Sequence, residues 1–89
     1  MFTKTQNITS HGNNQFTYGA MPVNRDSLVL ASACELILVD GLYRPRVGAA
    51  IIQVFNVCPQ DNGNVDFILS VGWESDLPCQ VRLVVIPTS

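Results

Sequence analysis

Three cysteines, one histidine and seven carboxylates are the residues of this sequence that could do chemistry. Nucleophilic catalysis needs a thiol or hydroxyl held beside a base. The sole histidine, His11, is the one base of that kind, and it falls in the turn-type cluster His11-Gly12-Asn13-Asn14. Cys34 and Cys79 fall in apolar runs, where a thiol acts as a small packing residue. Cys58, just before Pro59, is the thiol expected at the surface. A Cys–His pair would require the N-terminal stretch to fold back, so no catalytic centre is expected. A structural zinc site takes about four Cys or His ligands at chelating spacing. Here the thiols stand 24 and 21 residues apart and no Cys-x-x-Cys occurs, so no metal and no cofactor are expected. The odd thiol count also argues against a disulfide framework and for reduced cysteines.

The carboxylates point the same way. Asp26, Asp40, Asp61 and Asp76 each occupy a turn-type position, where Asp bonds its own backbone. Asp61-Asn62-Gly63-Asn64-Val65-Asp66 carries oxygen ligands at calcium-loop density, but its glycine falls third and no glutamate closes it. It reads as a plain hairpin loop. Glu35 interrupts an apolar run; it is expected to face solvent, burial against a partner such as Arg82 being the alternative.

Recognition chemistry is better represented. In Leu42-Tyr43-Arg44-Pro45-Arg46-Val47-Gly48, two arginines flank a proline that presets an extended backbone, with a tyrosine alongside. Arginine pairs with carboxylates and stacks on aromatics, and both Tyr and Arg are enriched at interface hot spots. Tyr43, Arg44 and Arg46 are therefore the candidate interface residues of a docking loop. Phe2 and Ile8, the large apolar residues of an otherwise polar first stretch, are the other two. Trp73 ends a core-facing series; as an alternative, it could join Tyr43 and the Asp61–Asp66 loop in stacking on a sugar.

The elements that must position these residues are β-strands. Residues 1–14, rich in Thr, Asn and Gln, read as an extended polar N-terminal arm free to lie on a neighbouring subunit. Residues 15–89 read as a single β-domain. Leu28–Val39 is one long strand or two with a bend, running into the hairpin signal Asp40-Gly41. A second β-branched run spans 49–57 and ends at Cys58-Pro59. From Val65 to Trp73 the alternation is strict: Val65, Phe67, Leu69, Val71 and Trp73 share one face. A last strand runs from Cys79 to Ile86 and stops at Pro87. With turn signals every 8–14 residues, the fold class is all-β: a compact antiparallel β-sandwich or small barrel of six or seven strands.

Composition narrows the function. Apolar residues make up 47% of the 89 residues and charged residues only 13%, and the mean hydropathy is +0.24, which excludes a disordered chain. A net charge of −2 provides no basic field for nucleic acid. No apolar run approaches the roughly 20 residues of a membrane helix. No apolar signal segment follows Met1, so cytoplasmic synthesis is expected. A small, apolar, charge-poor domain has surface left to bury against a partner. The expectation is a non-enzymatic assembly protein: a homo-oligomer that joins a larger protein structure such as a capsid, without nucleic acid or membrane. In general type it is similar to the small β-domains that decorate or cement a virus or phage capsid, which implies a place in the virion. A small carbohydrate- or ligand-binding β-module is the alternative.

Overall fold

Turn chemistry and β-branched runs cut the chain into seven strands: β1 (Phe2–Ser10), β2 (Gly12–Tyr18), β3 (Leu28–Val39), β4 (Leu42–Arg46), β5 (Ile51–Pro59), β6 (Val65–Gly72) and β7 (Leu77–Ile86). These come from a computed structural model that describes residues 1–86; Pro87, the expected stop of the last strand, lies outside the described residues. The strands form two antiparallel sheets, ordered β1-β7-β3-β4 and β2-β6-β5. The all-β expectation holds in its sandwich form, and the sheets do not close into a barrel.

The core is built from two central strands facing each other. Val65, Phe67, Leu69 and Val71 of β6 are each no more than 1% exposed. Cys79, Val81, Leu83 and Val85 of β7 are buried opposite them in the same cluster. Phe67 anchors the layer, stacked on Phe16 at 5.9 Å and met edge-on by Tyr18 at 5.1 Å. The β6 series ends one residue sooner than its alternation suggests. Trp73 lies past the strand, where its backbone N–H bonds the Val71 carbonyl at 2.9 Å and turns the chain; the residue is 44% exposed, not in the core.

The first 14 residues are placed differently from the free arm expected of them. β1 pairs along its whole length with β7, from Phe2 opposite Val85 to Ser10 opposite Leu77. β2 pairs with β6, from Gly12 opposite Val71 to Tyr18 opposite Val65. Only His11 separates the two strands, and Gly12 at φ +68° turns the chain from one sheet to the other. The Asn14 amide donates to Ser10 Oγ at 2.9 Å and to the His11 carbonyl at 2.7 Å, bracing this corner. The physical reason is that an edge strand draws on backbone hydrogen bonds and β-branched threonines, and needs no apolar alternation.

Two local devices set the rest of the register. Asp40 and Gly41 both adopt positive φ, +52° and +79°, making the two-residue turn that pairs Val39 with Leu42. β5 carries a bulge at Asn56, φ +52°, so that Phe55 faces Ile68 while Cys58 faces Asp66. The bulge returns Val57 to the core and leaves Cys58 exposed.

Candidate interaction surface

β3 is the strand whose sequence asks for cover on both sides. Its inner row, Val29, Ala31 and Ala33, packs on the core. Its other row is Leu28, Leu30, Ser32, Cys34, Leu36 and Leu38, on the outer face of the four-stranded sheet. A strand left half in water ordinarily alternates apolar with polar residues, and an apolar run on both rows is the mark of a strand buried on both faces. Here Leu28, Leu30 and Leu38 are each about half exposed. Across the register, Leu30 lies opposite Val84 and Leu28 opposite Ile86. The β1 row on this face is Thr3, Thr5, Asn7 and Thr9. Among the described strand residues of the face, Arg82 is the one charge, and its Nε donates to Thr5 Oγ1 at 3.3 Å.

Past Glu35, β3 runs on beyond the reach of β7; Leu36 is still buried, and only Leu38 and Val39 at its end are exposed. β7 pairs with β3 only over Leu28–Glu35, whereas β4 pairs with Glu35–Val39. The β3–β4 hairpin therefore projects past the body, and all five residues of β4 are exposed. Tyr43 and Arg44, expected in a docking loop, sit on this edge strand. Tyr43 pairs with Leu38 on one face of the hairpin, and Leu42 with Val39 on the other. The Leu38–Tyr43 face is apolar, whereas the Val39–Leu42 face also carries Arg44 and, at its base, the Glu35–Arg46 pair.

Glu35 anchors the hairpin's base, against expectation on two counts. Its side chain is 13% exposed and not solvated, and its partner is Arg46, Nε to Oε2 at 3.0 Å, rather than Arg82. The pairing follows from turn arithmetic: a two-residue turn at Asp40-Gly41 places position 35 opposite position 46. That signal was in the sequence. Gly48 completes the packing, because a Cβ there would overlap the Glu35 carboxylate. Arg46 is thus an internal brace and Arg44 the hairpin arginine without an ion partner among the described residues.

The chemical candidates are scattered. His11 lies at the Gly72 end of β6 and Cys58 at its Val65 end, so the two are not brought together. Instead the His11 Nδ1 meets the Asp76 Oδ1, joining the two connections that cross between sheets at that end; no local sequence signal links positions so far apart. Cys79 is buried, and burial, then Glu35, then Cys34 push its thiol pKa up, away from the thiolate that reacts. Asp61 accepts from the Arg25 N–H at 3.0 Å, and Asp66 from Gln60 Nε2 at 3.2 Å and from Thr17 Oγ1. The two carboxylates thus serve separate partners. Trp73 stands at the opposite end of β6 from that loop, so the residues of a sugar platform are not assembled in one place. Ile8 is half-buried against the core, and Phe2 is partly exposed at the rim beside Val85.

Compared with known proteins, the chain matches no family model, no curated protein and no solved structure at a significant level.

Proposed function

We propose that this chain is a non-catalytic structural subunit that works by protein–protein association through the outer face of its four-stranded sheet. The observation that carries this reading is the outer row of β3, with Leu28, Leu30 and Leu38 half exposed on a face whose described strand residues hold a single charge. Apolar area contributes about 25 cal/mol per Å² when covered, so a face of this kind gains by docking what it cannot gain alone. The outer face of the three-stranded sheet is more mixed: Asn13, Gln15, Thr17, Asp66, Ser70 and Gln53 surround a shorter apolar row of Ile51, Phe55 and Ile68. A larger protein shell, such as a virion coat, is the kind of structure such a subunit joins.

Sedimentation velocity and negative-stain electron microscopy of the purified chain test this reading. The wild type is expected to assemble with rising concentration, and Leu30→Glu to weaken assembly while leaving the far-UV circular dichroism spectrum unchanged. A chain that stays monomeric at high concentration and binds no macromolecular partner overturns it, and returns the ligand-binding module to first place.

A further inference from the structure

We infer that the projecting β3–β4 hairpin is a homodimer clasp, in which two copies pack hairpin on hairpin about a two-fold axis. The inference rests on the reading of the chain as an associating subunit, and adds the occupant and the mode of contact. Three observations carry it.

The first is exposed apolar surface. Leu38, Val39, Leu42, Tyr43, Val47 and Ile51 lie on the hairpin and the crossing that follows it, each between 39% and 101% exposed. They lie on both faces of the projection, so covering them takes a partner that wraps around it, as a second hairpin does.

The second is charge. The hairpin carries Asp40 at its tip and Arg44 on its free strand, both exposed and both without an ion partner among the described residues. An anion at the tip and a cation on the free strand of one hairpin are self-complementary. In an isologous contact, Arg44 of each copy meets Asp40 of the other, and both pairs form at once.

The third is the free edge of β4, which decides how the copies touch. A two-residue turn makes Val39 and Leu42 a hydrogen-bonded pair, so the backbone groups of Tyr43 and Pro45 point away from β3. Proline has no N–H to offer there, and a strand cannot add to β4 in full register. The contact is therefore made by side chains, not by extending the sheet, and it stops at two copies instead of running on as a fibre.

Sedimentation velocity of the full chain from about 1 μM to about 1 mM tests this. The wild type is expected to dimerise. Leu42→Glu and Arg44→Glu are each expected to raise the dimer Kd by about tenfold or more. Combining Arg44→Glu with Asp40→Lys restores the pairs with reversed sign, and is expected to return the Kd to within about threefold of wild type. Circular dichroism checks that each variant folds, and should Leu42→Glu not fold, the charge-reversal series alone decides. A wild type that is monomeric throughout, or a dimer whose Kd ignores every hairpin change, overturns the clasp. A dimer that ignores them but breaks with Leu30→Glu overturns the clasp and leaves the proposed sheet-face association standing.

Discussion

β6 and β3 are both long apolar strands, yet only one of them is finished within the monomer. On β6 every second residue is apolar and buried, while the other row, Asp66, Ile68, Ser70 and Gly72, is mostly polar or small, with Asp66 bonded to Thr17. On β3 both rows are largely apolar, and the outer one is covered only at Leu36 and in part at Cys34, leaving Leu28, Leu30 and Leu38 half exposed. The difference separates two kinds of information held in an amino-acid pattern. A clean alternation specifies the fold of one chain. An apolar row left over after the fold is complete specifies a contact that the chain alone cannot make.

The strongest way to break this comparison is to exchange leucines between the two regions. Leu69→Ala, in the fully buried row of β6, is expected to cost about 3–4 kcal/mol in chemical denaturation, a large share of the stability of a small domain. A cost below about 1 kcal/mol would show that this core is looser than its packing implies.

Alkaline pH probes the same closed region. Tyr18 is buried with no hydrogen-bond partner for its hydroxyl among the described residues, and burial pushes its pKa up to about 12. Tyr18 of the unfolded chain ionises near the ordinary value of 10 and that of the folded chain does not, so its contribution to stability is intact below pH 10 and is lost between 10 and 12. The loss approaches roughly 2–3 kcal/mol at the top of that window. Cys79, with its raised thiol, adds to the same slope from its ordinary value of 9. Tyr18→Phe is expected to flatten much of the slope in denaturation series at several pH values. At neutral pH it should stabilise by about 1 kcal/mol, since a buried hydroxyl without a partner is lost.

The boundary between finished and unfinished parts of β3 lies at Glu35. Arg46→Ala leaves a carboxylate 13% exposed without its partner, and is expected to lower the thermal midpoint by an amount corresponding to about 1–2 kcal/mol. Arg44→Ala, one turn of the pleat away and fully in solvent, should leave the midpoint where it is. Smallest of all, Leu30→Thr is expected to change the stability of the dilute monomer by less than about 0.5 kcal/mol while weakening association. Equal costs for Leu30→Thr and Leu69→Ala would erase the distinction between the strands.

Legibility in the sequence followed the range of the interactions. The Asp40-Gly41 turn, the Gln60–Asn64 loop and the β6 row could be read because each is encoded within a few residues. The loop closes as such loops do, with the Gln60 N–H bonding the Asn64 carbonyl at 2.8 Å and Gly63 at φ +86°. β1 could not be read, because its partner lies at the other end of the chain and its inward row, Lys4 and Gln6 included, has no apolar rhythm. Lys4 keeps its place through its ammonium, 5.1 Å from the Tyr18 ring centre, a contact no local pattern announces. Of the surface residues, Tyr43 and Arg44 were legible from type alone. The outer row of β3 was not, because which row faces outward depends on β7.

That dependence has a temporal side. In the four-stranded sheet, β7 lies between β1 and β3, yet it is the last strand in chain order. Phe2 waits for Val85, and Leu30 for Val84. As the chain is synthesised, β2, β5 and β6 can meet while β1 and β3 still lack the strand that joins them. Folding dominated by such distant pairings is slow, on the order of milliseconds to seconds. Throughout that interval the leucine row of β3 and its Val–Ala row are both open to any neighbour, so fast dilution or a holding chaperone during refolding should raise the yield of the native sandwich.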